Sequence, residues 1–246
     1  MGTGVMRYHQ AIARLLTRIV ETQAEPLERA ARTVFASLRE EGILHIFGSG
    51  HSHAVAEEAF HRAGGLVPVN VIQEVFLTPL TSPLKSGPFE RLSGIAAILL
   101  DAYDCRRGEV LIVVSNSGIN PVPVEMALGG RERGLTVVAI TSVTHSQQVP
   151  SRHASGRRLF EVADILLDTC GALGDAVVTL PGLAQGVGPT SLIAGAFLVN
   201  ALACRVVECY LAAGLNPPIY RSANVPEGDR HNRELEARYR TRIKGL

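Results

Sequence analysis

Ser115, Asn116, Ser117 and Asn120 follow directly on five uninterrupted apolar residues, Val110–Val114, four of them β-branched. Hydroxyl and amide side chains in a glycine-containing turn with no carboxylate among them suit an anion, and phosphate is the expected guest. A second set of the same kind, Ser49, Gly50, His51 and Ser52, follows Ile43–Phe47. Each set sits where a buried parallel strand gives way to a helix. In an open α/β sheet that is the end where ligands bind, because amides of the turn and of the next helix point at whatever sits there. Two such turns are expected to hold two sides of one ligand.

Other spacings suit chemistry of their own. His53, Glu57 and His61 recur every fourth residue with His51 nearby, so a helix would bring them to one face, where a divalent metal such as zinc is conceivable. A solvated helix face or a Glu–His pair is the plainer reading, and no metal is expected. Glu58, one turn from Arg62, reads equally as half of a surface ion pair. The run from Gly48 to His53 is two-thirds of a dinucleotide fingerprint but has His53 where the third glycine belongs, so no cofactor is expected, although Glu74 lies at the right distance for a ribose. No G-x-S-x-G elbow is present, which argues against a serine hydrolase.

The elements that must position these residues are legible from periodicity. Ile12, Leu15, Leu16, Ile19 and Val20 mark one amphipathic helix, and Leu27, Ala31, Val34 and Leu38 mark a second after a break at Pro26. A strand at 43–47, a helix at 52–63 and a strand at 66–72 form the first βαβ unit. Residues 75–89, with three prolines, read as a long loop of little structure, of the kind that lies over a site. Then come a helix at 91–103, the strand at 110–114, a helix at 121–133 and a strand at 136–141. A polar loop follows at 142–158, with short strands at 165–167 and 176–180. A long apolar helix runs from a Thr190 or Ser191 cap to about Ala213, and a charged helix ends the chain. This alternation predicts one α/β domain over residues 1–246 with a mainly parallel sheet. Its parts are an N-terminal helical pair (1–41), the α/β core (42–214) and a C-terminal turn and helix (215–246).

With 46% hydrophobic residues among 246, the chain can bury a substantial core, and a formal charge of +1 points to neither nucleic acid nor a membrane surface as partner. The first ten residues have no apolar leader, and no segment reads as a membrane span. Cys105, Cys170, Cys204 and Cys209 have neither metal-site spacing nor scaffold density, so a reducing cytoplasm is expected, with Cys204 and Cys209 as buried thiols.

Taken together, the two serine turns resemble those of the SIS (sugar isomerase) domain, the phosphosugar-binding α/β family. The run F-G-S-G-H-S-H matches its first serine loop. Ser115-Asn116-Ser117-Gly118 matches its second, S-x-S-G-x-T, with Asn120 in place of the threonine. The P-T-S before the long helix is similar to arabinose-5-phosphate isomerases, and the first loop to phosphoheptose isomerases. The runs E-E-A-F-H-R-A-G-G-L-V-P, S-R-H-A-S-G and S-A-N-V-P-E-G-D-R-H-N resemble a SIS-domain branch defined by sequence alone, and the resemblance spans nearly the whole chain. It implies a three-layer α/β/α, flavodoxin- or Rossmann-like domain with a phosphate held by Ser49, Ser52, Ser115 and Ser117. It also implies an aldose–ketose isomerase in a homodimer or homotetramer; for that reaction Glu58 or Glu74 is the expected base, with His61 and His231 as the expected proton shuttles. An etherase-like lyase and a non-catalytic phosphosugar sensor are the alternatives.

Overall fold

The computed structural model describes residues 3–80 and 82–246; the expectations placed on Met1, Gly2 and Thr81 lie outside them. Five parallel strands, β1 (Leu44–Gly48), β2 (Val69–Ile72), β3 (Val110–Val114), β4 (Thr136–Thr141) and β5 (Ile165–Asp168), form one sheet in the order β2-β1-β3-β4-β5. The strands are short and β-branched, and every residue of β1 and β3 is buried, as a sheet covered on both faces requires. Leu44, Ile46, Ile112, Val138 and Ile140 point to one face, where they pack with α1 (Gly4–Leu38), α2 (His53–Glu58) and α8 (Ser191–Ala212). Phe47, Leu111, Val113, Val137 and Ala139 point to the other, against α4 (Ile95–Ala102), α5 (Pro121–Glu132) and α7 (Leu159–Val162). The result is the expected three-layer α/β/α arrangement. Strand order reverses between β1 and β3, so the turns after them lead to helices on opposite faces and leave a crevice between them. Both serine turns open there.

A single 35-residue helix stands where a leading pair was expected. Pro26 lies inside α1 and removes one backbone donor, at a cost of about 3 kcal/mol in a helix interior. The stripe Ile19, Ala30, Ala31, Val34 and Leu38 is buried across that point, and its packing on α8 and the sheet outweighs the loss. The amino-terminal half of α1 is held by an antiparallel hairpin in which β6 (Ala176–Val178), expected as a strand over 176–180, pairs with β7 (Val187–Pro189), which was not expected. Tyr8 donates its hydroxyl to Pro189 O at 2.6 Å.

Several boundaries also moved. The 52–63 helix stops at Glu58, and His61 lies beyond it with φ +43°, so His53, Glu57 and His61 do not share a helical face. Residues 75–89 are not featureless, because Pro83 is in the first turn of α3 (Pro83–Glu90) and Phe76 and Phe89 pack ring to ring at 5.2 Å. The next helix begins only at Ile95, after Gly94 takes φ +90°. Short α6 (Val143–Gln147) sits in the polar loop, and α9 (Gly228–Tyr239) ends the chain as expected. α8 is long and apolar enough by composition to cross a membrane, contrary to the reading of the sequence, yet one face of it packs on α1, α2 and the sheet. Cys204 on that helix is exposed rather than buried.

At the amino end of the sheet, buried Glu109 ties the core together. Its carboxylate accepts from Ile43 N (3.0 Å), His45 Nε2 (2.9 Å), Arg106 N (2.8 Å) and Arg242 Nη2 (2.7 Å).

Candidate functional site

The register of β1 and β3 pairs Gly48 with Val114, so the two serine turns leave the sheet side by side. A Cβ at Gly48 would collide with the Ser52 carbonyl, and Gly50 has φ +56°; the first turn therefore closes only with glycine at both places. Gly48→Ala should cost about 1–3 kcal/mol in denaturant unfolding by overpacking. Wild-type stability in that variant would show that the turn is not tight. In the second turn, Ser115 Oγ accepts from Gly118 N at 3.2 Å, and Gly118 at φ +62° approaches Thr141, Ser146 and Leu159.

Between the turns lies a narrow cleft whose polar rim is His51, Ser52, Asn116, Thr169 and Ser191 over Val114 and Ile140. Asn116 Oδ1 and Thr169 Oγ1 are buried and have no hydrogen-bond partner among the described residues, and Ser146 Oγ beside Gly118 is in the same state. Buried polar atoms are otherwise almost always paired, so an unpaired group on each side of the cleft marks a place built for a polar guest. Ser117 is half-buried, with no hydrogen bond from its hydroxyl among the described residues.

Two features limit how an anion could be held. Pro121 and Pro123 remove two of the amides that the start of α5 would present, so side chains must carry more of the binding. The amino end of α8 is already occupied: Asp175 Oδ1 accepts from Thr190 N (2.9 Å) and Ser191 N (2.8 Å), and Oδ2 from Ser191 Oγ (2.6 Å). Thr190 is the N-cap residue, as expected, but Asp175 rather than a Thr190 or Ser191 side chain accepts from these amides. Positive charge comes instead from Arg152, whose Nη1 donates to Asn120 Oδ1 at 3.0 Å. Asn120 is thereby held against the loop that carries Arg152.

Of the acid–base residues named from sequence, Glu74 alone is at this end, following β2. Tyr103 Oη donates to Gln73 O at 2.8 Å and approaches Glu74 Oε1 at 3.4 Å. Burial first, and the Glu74 carboxylate with it, pushes that phenol up against the opposing Gln73 hydrogen bond, so it remains a donor. Glu58 pairs with Arg62 and accepts from Asn200 Nδ2 at 2.9 Å, beside Leu44 at the start of β1. His61 meets Glu236 of α9 at 3.1 Å. His231 is hydrogen-bonded to Ile219 O at 3.0 Å in a cavity of about 620 Å³ between the carboxyl ends of α1 and α8. These three are not brought to the serine turns. Among the metal candidates, His53 is engaged through Nδ1 with Gly50 O at 2.5 Å, its Nε2 is 3.9 Å from Glu57, and His61 is elsewhere.

Thr169, Arg152, Asp175 and Glu90 were not singled out by sequence reasoning. For Thr169 a signal existed, because it follows β5 at the ligand-binding end of the sheet; Arg152 and Asp175 lie in loops and Glu90 ends the short α3, and no periodicity reports their placement.

Residues 7–142 match the SIS domain. A UPF0309 protein of Shouchella clausii is 39% identical over 240 residues, which cover 97% of this chain and 98% of that protein. Phosphoheptose isomerases of Neisseria gonorrhoeae and Francisella tularensis superpose with TM-scores of 0.55 and 0.56 at 17% and 15% identity, over 83% of this chain and 97% and 96% of theirs. At such identities the likeness is one of fold. Two serine turns at the β1/β3 crevice, the matched domain and a relative of the same length lead to one conclusion: the chain belongs to the SIS domain family, alongside UPF0309 proteins.

Proposed function

We propose that the protein binds a phosphorylated sugar at the β1/β3 crevice and interconverts its aldose and ketose forms through an enediol. The observation that carries this reading is the pair of unpartnered buried oxygens, Asn116 Oδ1 and Thr169 Oγ1, flanking a cleft rimmed by the serine turns. Hydroxyl-rich ligands supply the donors such oxygens need, and Ser115, Ser117 and Arg152 supply donors to a phosphate. The fold shared with phosphoheptose isomerases supports the same class of ligand. Phosphate contacts persist through the reaction, so they orient the reacting carbons and leave proton transfer to groups at the sugar end. Glu74 is at the same end of the sheet, whereas Glu58, His61 and His231 face away and would act only on a neighbouring subunit's site. A dimer or tetramer is part of the proposal.

Thermal unfolding against aldose and ketose phosphates of five to seven carbons, with the parent sugars and NAD alongside, tests the reading. A ligand at a hundred times its Kd stabilises by about 2.7 kcal/mol, which raises Tm by roughly 5–10 °C for a chain of this size. A shift with one phosphosugar and none with its parent is expected. A shift with NAD alone, or with no sugar phosphate, would refute it. Release of lactate from N-acetylmuramic acid 6-phosphate would assign the site to a lyase instead.

A further inference from the structure

One carboxylate is bonded directly to a serine turn, and it stands at the end of the helix that forms in the proline-rich stretch read as a loop. Ser49, 4% exposed, donates its hydroxyl to Glu90 Oε1 at 2.7 Å. Glu90 is the last residue of α3, which packs against the Gly50–Ser52 turn and against α5, so it is carried between the two serine turns. Other acidic groups at this end are engaged. Asp175 accepts at the start of α8, Asp168 Oδ1 accepts from Val143 N and Cys170 N, Glu57 accepts from Gln73, Glu74 faces the Tyr103 hydroxyl, and Glu125 accepts from Gly94 N. Glu90 accepts one hydrogen bond among the described residues and is half-exposed.

This contact divides the crevice. An ionised carboxylate on Ser49 repels a phosphate placed on the same hydroxyl, and repulsion is strong in a partly desolvated site. Phosphate is therefore best held on the Ser115–Ser117 side, where no carboxylate is bonded to the turn and Arg152 is near. The sugar's carbonyl end then lies toward Ser49 and Glu90.

We propose that Glu90 is the general base of the isomerisation, held in place by Ser49; this rests on the phosphosugar isomerase reading above. Glu90 takes the proton from C2 of the aldose, the C–H electron pair becomes the C1=C2 bond, and the carbonyl π pair moves onto O1. The O2 proton passes to O1, C2=O2 forms, and the C1=C2 pair takes the proton back from Glu90 at C1. Atoms and charge balance with no further reactant. A glutamate suits the task because it can hold the abstracted proton between the two carbons.

The test uses the full chain and whichever sugar phosphate of the panel stabilises it, with binding read as a Tm shift and catalysis as deuterium uptake from D2O at C1 or C2. Glu90→Gln should keep the Tm shift, since its amide oxygen still accepts from Ser49, and should slow exchange about 10²–10⁴-fold. Ser49→Ala should slow exchange by about tenfold, in kcat rather than KM, because Glu90 loses the hydroxyl that holds it. Exchange by Glu90→Gln within tenfold of wild type overturns the proposal, as does loss of the Tm shift together with exchange, which would make Glu90 a structural or binding residue. A wild-type protein that binds but never exchanges overturns Glu90 as base and leaves phosphosugar binding standing. One that binds no member of the panel takes the underlying reading down as well.

Discussion

Glu109→Ala should destabilise the protein by about 3–5 kcal/mol in denaturant unfolding, the usual consequence of removing one partner from a buried ionic cluster. The carboxylate serves four donors drawn from β1, the loop before β3 and the C-terminal tail. Its loss leaves the Ile43 and Arg106 amides and the His45 ring unsatisfied where water reaches them poorly, and leaves Arg242 with Asp104 as its remaining acidic partner. Glu109→Gln, which keeps an acceptor, should cost less. A loss below 1 kcal/mol for the alanine variant would show that the cluster contributes little. The same group sets a pH dependence. Burial raises its pKa, but the hydrogen bonds from His45, the Arg106 amide and Arg242 outweigh burial and hold the carboxyl below its ordinary value of 4.5. A depressed native pKa means that this stabilisation is fully present above the unfolded value. It is lost as pH falls from about 4.5 through the lower native pKa. Unfolding midpoints measured from pH 6 downward should fall in that window, and the fall should be smaller in Glu109→Gln.

Ser115→Ala with Ser117→Ala should weaken phosphosugar affinity by about a hundredfold or more. Hydrogen bonds to a charged group contribute about 1.5–3 kcal/mol each, and the prolines at the start of α5 leave few amides to compensate. Ser115 also accepts from the Gly118 amide, so its loss loosens the turn as well as removing a donor. Titration by calorimetry decides the matter, with Tm as the check that the variant is folded. Unchanged affinity in a folded double variant would remove the second serine turn from the site. The Glu90 variants leave this turn untouched, so binding and proton transfer are separable.

What the sequence by itself determined is local. Strands β1, β3 and β4 were legible because a buried parallel strand is a short β-branched run whose end is marked by polar turn residues. Both serine turns followed, as did their place at the ligand-binding end of the sheet. Pattern misled where tertiary packing overrode it. A proline reads as a break, but a stripe buried on both sides of Pro26 kept α1 whole. Proline-rich residues read as bare loop, yet Pro83 starts the helix that carries Glu90 to Ser49, 41 positions away.

Only the tertiary structure decided which acid–base groups meet the turns. Glu58, His61 and His231 have suitable chemistry and lie where the family resemblance directs attention. However, α2 runs from the carboxyl end of the sheet toward its amino end and stops early, which leaves Glu58 and His61 at the wrong end. The N-cap of α8, Thr190, was legible, but the acceptor for its amide is Asp175, just before β6, which no reading of Thr190 and Ser191 could supply. Periodicity reports which face a residue takes on its own element. Which end of the sheet it reaches, and what stands opposite, depends on where each element stops and on contacts between distant parts of the chain.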